Sequence, residues 1–186
     1  MLMKRNSHFS FNIAYCGIMC ALAIMIMFVA IIPSMTYVMP AISGVIIWTV
    51  AAQINRRWAF MTYAAAAVLS LLVVPEKEAM TYFIMIFGYY PLIRDLINRA
   101  TFPPVRFLVK LIFFNAMVVL AFLIVVNVFG IPVEQMLDGL DRLGGYALYG
   151  LWAMGNVVFF MYDFSLKYVY YAFENWIKPN LNKKIK

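Results

Sequence analysis

The side chains best suited to holding a small molecule combine aromatic rings with a few polar groups. Tyrosine and tryptophan offer flat, stiff surfaces with a polar edge, which suits them to line a pocket. Such residues occur at the start of the second and fourth apolar segments and along a glycine-containing stretch of the last one. The predicted substrate-binding residues are Tyr37, Glu78, Tyr82, Tyr146, Tyr149, Trp152 and Asn156.

Several of these residues also fit a plainer role. Tyr146 and Tyr149 are placed where an ordinary aromatic belt at a membrane interface would lie. Asn156, like Asn115 and Asn127 in the preceding apolar segment, is typical of an amide that hydrogen-bonds between helices. Both interpretations stay open at the level of sequence.

The acidic residues near Tyr82 allow two interpretations as well. Glu76 and Glu78 precede the fourth apolar segment, and Glu134, Asp138 and Asp141 fall on the same predicted side of the membrane. Such an acidic mouth would attract a cationic solute. Solvated loop acids would produce the same pattern.

Catalytic motifs are not found in the sequence. It has no G-x-x-x-x-G-K-[ST], no H-E-x-x-H and no G-x-S-x-G, and His8 is its single histidine. Cys16 and Cys20 are four residues apart on one helix face and are best interpreted as packing residues, since free cysteine behaves as a small hydrophobe. We therefore expect no enzyme activity, no cofactor, no metal site and no disulfide.

The composition indicates what must position these residues. Of 186 residues, 66% are hydrophobic and 12% are charged, whereas a soluble domain is about 45–50% apolar and about 25% charged. This excludes a soluble enzyme, a disordered tail and a secreted disulfide scaffold. The net charge of +7 arises from short basic clusters between apolar runs, which is typical of cytoplasmic loops in a lipid bilayer and not of a nucleic-acid-binding surface.

The apolar runs predict an all-α integral membrane protein, a bundle of six transmembrane helices. A spanning helix needs about 20 apolar residues, and the predicted spans are 12–32, 37–54, 58–74, 79–93, 107–129 and 144–164. The fourth is short, and Gly88 and Pro91 are expected to interrupt it. With the N-terminus inside, every lysine and arginine except Lys77 and Arg142 falls on the cytoplasmic side. The positive-inside rule therefore predicts that both termini are cytoplasmic.

The same pattern predicts three segments. Residues 1–11 form a cytoplasmic N-terminal segment, 12–164 the transmembrane domain, and 165–186 an amphipathic, basic cytoplasmic C-terminal segment. The first run is too long for a signal peptide core and lacks a cleavage site, so it is expected to be retained. Asp163 should lie at the inner interface, either as a structural partner of Arg57, Arg94 or Lys167 or in a coupling role.

Small residues mark one face of the first span. Ala14, Gly17 and Ala21 form a stripe at helical spacing, and Gly17-x-x-x-Ala21 allows a second helix to approach closely. We refer to Ala14, Gly17 and Ala21 as the small-residue stripe. It suits either packing within the chain or docking to another membrane subunit.

The layout resembles the substrate-binding (S) component of energy-coupling factor (ECF) transporters. The stretch 14–22, AYCGIMCAL, is similar to that family's first helix, in which a small-xxx-small motif docks onto the partner; Gly17 replaces the usual first alanine. Pro33, Pro40 and the pair Gly155-Asn156 are similar as well. The resemblance implies a small-molecule substrate such as a vitamin, bound near the outer face, and uptake driven by a membrane coupling subunit and ATPase subunits in a bacterial cell membrane.

Two other functions compete with this one. A non-transporting scaffold, similar to the rod-shape membrane proteins of bacteria, would have a filled core and a partner-binding face. A membrane enzyme acting on lipids would need clustered carboxylates or histidine at the interface, and only Asp95 and Asp163 with nearby arginines offer this.

Overall fold

The computed structural model describes residues 2–32, 35–100, 102–133, 146–173 and 175; for 2–8, 100, 147 and 148 it describes the backbone alone. Every regular element in these ranges is helical, so the predicted all-α class is confirmed for them. The helices are α1 (Leu2–Phe28), α2 (Val38–Gln53), α3 (Arg56–Val73), α4 (Lys77–Tyr82), α5 (Tyr90–Ala100), α6 (Pro103–Asn127) and α7 (Ala147–Ala172). A 3-10 turn, Val29–Ile31, follows α1, and a π-helical turn, Phe83–Phe87, follows α4.

The chain divides into two compact units, residues 1–101 and 102–186. Helix α1 begins at Leu2 and α7 continues to Ala172, so both extend beyond the predicted transmembrane domain, 12–164, whose bounds stay a prediction.

The core of the first unit lies between α1, α2 and α3, which pack against one another. Ala23 and Met27 of α1 and Ile47 of α2 are fully buried there, and α3 contributes Ala66. The small side chains let the helices approach closely. The Ser43 hydroxyl donates a hydrogen bond of 2.9 Å to the Ala23 carbonyl, which satisfies a buried polar group across the α1–α2 contact.

The π-helical turn is pressed directly against α2. A Cβ atom placed on Gly44 would lie 1.9 Å from the Phe87 carbonyl oxygen, so only glycine fits at this contact. From α3, the Tyr63 hydroxyl donates a 2.6 Å hydrogen bond to the Ile84 carbonyl within the turn. These contacts fix the position of α4, which leads into the turn, relative to α2 and α3.

The breaks between helices have local causes. Asn55 caps α3, because its side-chain oxygen accepts a 3.0 Å hydrogen bond from the Trp58 amide. Pro75 follows the end of α3, and α6 begins with two prolines, which suit the first turn of a helix. The predicted fourth span, 79–93, is interrupted at Gly88, as its composition suggested: α4 and the π-helical turn precede the break, and α5 follows it.

In the second unit, α6 and α7 run antiparallel, since Lys110, Phe114 and Asn115 of α6 contact, in that order, Asp163, Phe159 and Asn156 of α7. The Lys110 ammonium lies 2.7 Å from the Asp163 carboxylate, and the rings of Phe114 and Phe159 stack with centroids 4.2 Å apart. The sequence suggested Arg57, Arg94 or Lys167 as the partner of Asp163. The ion pair goes instead to Lys110, because the antiparallel register places that residue opposite.

Among the residues that the structure describes, two helices are long and apolar enough to cross a membrane. They are the stretch Phe9–Ile31, which extends beyond the end of α1, and α6, Pro103–Asn127; α2 is apolar but shorter. Only 28% and 22% of their most apolar stretches are buried inside the protein. This is consistent with association with a membrane, while the six predicted spans and the position of the termini stay predictions.

Candidate functional site

The structure brings together three of the predicted substrate-binding residues. The Tyr37 hydroxyl donates a 2.8 Å hydrogen bond to Oε1 of Glu78. The rings of Tyr37 and Tyr82 lie 5.2 Å apart, centroid to centroid, with an angle of 59° between their planes. We call these three residues the carboxylate–aromatic cluster.

Two neighbouring elements position the cluster. Tyr37 immediately precedes α2, while Glu78 lies in the first turn of α4 and Tyr82 is its last residue. Glu78 and Tyr82 are four residues apart, so they share one face of α4. The packing of α4 and the π-helical turn onto α2 brings that face to Tyr37.

The cluster is buried at one end and open at the other. Tyr82 is 8% exposed, whereas Tyr37 is 38% exposed. Glu78 lies between these extremes. A ligand would therefore reach the carboxylate from the side of Tyr37.

The Glu78 carboxylate has no cationic partner in the part of the chain that the structure describes. Burial raises the pKa of Glu78, the hydrogen bond from Tyr37 opposes this rise, and the nearby Glu76 charge adds to it. Lys77, although adjacent in sequence, directs its ammonium to the carbonyls of Leu71 and Val74, at 3.4 and 3.0 Å. The described residues therefore place no cationic group on the Glu78 carboxylate.

The other predicted substrate-binding residues belong to the second unit, along α7. Tyr146 and Tyr149 are 77% and 66% exposed, and Trp152 is also exposed. The acids predicted to join them, Glu134, Asp138 and Asp141, lie outside the described residues. High exposure fits both a belt at a membrane interface and the rim of a pocket.

Asn156 is engaged in packing. Its amide and that of Asn115 on α6 exchange two hydrogen bonds, of 2.9 and 3.2 Å, and Asn156 also donates to the Trp152 carbonyl at 3.0 Å. Asn127 instead donates to the Leu123 carbonyl of its own helix. For Asn156 the geometry therefore favours the interhelical role that the sequence left open.

A shallow depression of about 490 Å³ lies beside this amide pair on the second unit. Its lining is almost entirely apolar and is formed by Phe107, Asn156, Val157, Phe160, Met161 and Phe164. It lacks the convergent polar groups that orient a small ligand. The carboxylate–aromatic cluster is therefore the better candidate for a binding site.

The small-residue stripe lies on the outside of α1. Ala14, Gly17 and Ala21 are all exposed, and a Cβ atom on Gly17 would meet nothing within 4 Å. The opposite face of α1, with Cys20 and Ala23, is the buried one. The stripe therefore does not pack against the described residues of the first unit.

Groups suited to other chemistry are sparse. Among the described residues, no three His, Cys, Asp or Glu side chains are grouped so that they could hold a metal ion. Cys16 and Cys20 are both free thiols. Asp95 lies 3.9 Å from the Arg94 guanidinium, which is a loose ion pair.

Lys110 was not predicted from the sequence as the partner of Asp163. It is the one charged residue inside the apolar stretch that becomes the body of α6. A cation at that depth needs an anion or hydrogen-bond acceptors, and Asp163 is the one acidic residue in the last predicted span. The presence of one lysine in the fifth predicted span and one acid in the sixth is the sequence feature from which this ion pair could have been predicted.

No protein family model, curated protein or solved structure matches this chain. Its function is therefore argued from its own residues and their geometry.

Proposed function

We infer that this protein is the membrane-embedded substrate-binding subunit of an ATP-driven uptake transporter, similar to the S component of ECF transporters. It crosses the bacterial cell membrane six times, keeps both termini in the cytoplasm and takes up a small molecule such as a vitamin. Separate subunits supply the energy. The observation that carries this proposal is the carboxylate–aromatic cluster, in which the Glu78 charge is left without a cationic partner in the described part of the chain.

The apolar surface of the chain supports the membrane location. The long apolar helices expose most of their side chains, including Leu22 and Met25 in α1 and Ile112 in α6. In water this surface would drive aggregation, whereas lipid tails cover it without cost. The distribution of lysine and arginine supports cytoplasmic termini.

The small-residue stripe supports a membrane partner. An exposed stripe of Ala14, Gly17 and Ala21 offers a smooth helix surface that another transmembrane helix can approach closely. In a transporter of this type, that partner is the membrane coupling subunit, which in turn holds the ATPase subunits.

A second candidate function is a non-transporting membrane scaffold. The α6–α7 contact favours it, because the polar groups described there are satisfied by each other: Lys110 by Asp163 and Asn115 by Asn156. A scaffold needs such a filled contact and an outer face for partners. A scaffold does not require the carboxylate–aromatic cluster.

Copurification from the native membrane tests the proposal. The tagged full chain is solubilised gently, and partners and small molecules are identified by mass spectrometry. We expect a coupling subunit with ATPases and a tightly held small molecule. Gly17→Leu should remove the ATPases, whereas Ala153→Leu, which places the same side chain at an exposed position of α7, should retain them.

Two results would contradict this proposal. Cell-envelope proteins without any ATPase or small molecule would contradict the transporter and support the scaffold. Reporter fusions that place the two termini on opposite sides of the membrane would contradict the six-span topology.

A further inference from the structure

We propose that the carboxylate–aromatic cluster binds the ammonium group of a small organic cation, with Glu78 as the counter-charge and the rings of Tyr37 and Tyr82 as its walls. This rests on the proposed function and narrows its substrate from a small molecule to a cationic one.

The first argument is the hydrogen-bonding state of the carboxylate. Oε1 of Glu78 accepts a hydrogen bond from Tyr37, while Oε2 accepts none from the described residues. A partly buried carboxylate loses hydration, and the loss is offset best by a charged donor. A ligand ammonium N–H supplies such a donor, and a quaternary ammonium supplies the positive charge without a donor, whereas an anion would be repelled by both Glu78 and the nearby Glu76.

The second argument is the arrangement of the rings. At 5.2 Å and 59° the two tyrosines form an angled wall beside the carboxylate, without stacking flat on each other. The face of an aromatic ring attracts a cation within about 6 Å, and this attraction grows when water is excluded. The hydrogen bond to Glu78 also fixes the Tyr37 ring, so the wall is formed before the ligand arrives.

The aromatic walls distinguish an organic cation from a metal ion. Calcium takes about six to eight oxygen ligands and magnesium requires octahedral geometry. Among the described residues, the cluster offers one carboxylate and two phenol groups, and no group of three metal-binding side chains is present. Organic ammonium groups, and quaternary ones above all, bind aromatic faces and match it better.

The position of Lys77 explains why the site is not filled by the chain itself. Its ammonium is adjacent to Glu78 in sequence but is held by the Leu71 and Val74 carbonyls at the end of α3. Helix C-terminal carbonyls attract cations. Lys77 is thereby kept away from the Glu78 carboxylate, so that a ligand cation can bind there.

The test compares a cation with its uncharged isostere. The full chain in lipid nanodiscs is titrated calorimetrically with choline, with ethanolamine and with 3,3-dimethylbutan-1-ol, which has the shape of choline without its charge. We expect both cations to bind, and the isostere to bind at least about tenfold more weakly than choline. Calcium chloride should not compete with choline.

Variants assign the binding to the cluster. Glu78→Gln keeps the size and the acceptor for Tyr37, and it should weaken choline binding about ten- to a hundredfold. Tyr37→Leu should weaken binding about two- to thirtyfold, whereas Tyr37→Phe, which keeps the ring, should change it less. Tyr168→Leu, which removes an exposed tyrosine of α7, should leave it unchanged. Thermal unfolding shows that each variant is folded.

The outcomes separate this proposal from the proposed function. Equal binding of choline and its isostere, or unchanged binding in folded Glu78→Gln, overturns the cation site. A neutral or anionic molecule that copurifies together with the ATPases overturns the cation and leaves the transporter standing. Choline binding that depends on Glu78, in a preparation without ATPases, supports the cation site and contradicts the transporter.

Discussion

The two units place charged side chains in opposite circumstances. In the second unit Lys110 and Asp163 form an ion pair whose side chains are 7% and 14% exposed, so each charge is compensated within the chain. In the first unit Glu78 is held by a tyrosine and lacks a described cation. Both arrangements bury charged groups, but the described residues supply counter-charges to Lys110 and Asp163 and none to Glu78.

This contrast separates structural from functional polar groups. The α6–α7 contact is complete by itself, with an ion pair, an amide pair and stacked phenylalanines along one register. In our proposal, a ligand completes the carboxylate–aromatic cluster. Variants in the second unit should therefore change stability, whereas variants in the cluster should change binding.

The largest expected effect is the loss of one partner from the buried ion pair. Asp163→Leu leaves the Lys110 ammonium buried without its counter-charge, and it should destabilise the protein by about 3–5 kcal/mol. The double variant Lys110→Met, Asp163→Leu should recover most of this loss, because it removes both charges. Reversible unfolding in micelles measures the free energies. A double variant as unstable as the single one would show that the pair is not the source of the effect.

A smaller effect is expected where α2 meets the π-helical turn. Gly44→Ala drives a methyl group into the Phe87 carbonyl and should cost about 1–3 kcal/mol. Because this contact also positions α4, choline binding should weaken as well. Gly17→Ala is the matched control: its methyl group meets nothing within 4 Å, so stability should stay the same or rise by about 0.5–1 kcal/mol.

The amide pair should contribute less again. Asn156→Ala removes both hydrogen bonds to Asn115 and should cost about 0.6–1.7 kcal/mol, the range found for such bonds between membrane helices. Asn127→Ala, which loses only a bond within its own helix, is the control and should cost less. Ligand affinity tests whether Asn156 also contributes to the binding site. If Asn156→Ala abolishes binding while the fold is kept, Asn156 belongs to that site.

The helices could be predicted from the sequence because apolar runs and their breaks are local signals. The predicted segments 37–54 and 58–74 lie within two residues of α2 and α3 at each end, and Gly88 interrupts the fourth as expected. The last predicted span begins at Gly144, outside the described residues, and α7 extends to Ala172, since its aromatic residues continue the helical pattern. The number of membrane crossings depends on the bilayer and stays a prediction.

The site could be predicted only in part. Tyr37, Glu78 and Tyr82 were identified by residue type, but their contact depends on the approach of the π-helical turn to α2, which no local pattern reveals. The partner of Asp163 was missed for the same reason, since pairing between helices depends on register. A helix pattern specifies which face is apolar, not which residues on two helices lie opposite.

The smallest expected effect is the pH dependence of the ligand-free protein. Burial raises the pKa of Glu78, so the neutral form of its carboxyl group is more favoured in the folded state than in the unfolded state. Its contribution to stability is therefore fully present below the unfolded pKa of about 4.3 and is lost as pH rises through the folded value. The groups that face it are Tyr37, Tyr82 and Glu76, none of which adds a positive charge.

Ligand binding should depend on pH in the opposite direction. Choline needs the charged carboxylate, so its affinity should fall as pH drops through the raised pKa of Glu78, while the free protein gains stability from that group. Wild type and Glu78→Gln, compared in unfolding and in choline titration between pH 4 and pH 8, separate the two effects. If stability and choline affinity change with pH in the same way in wild type and in Glu78→Gln, another group controls the pH dependence. The proposed role of Glu78 would then be wrong.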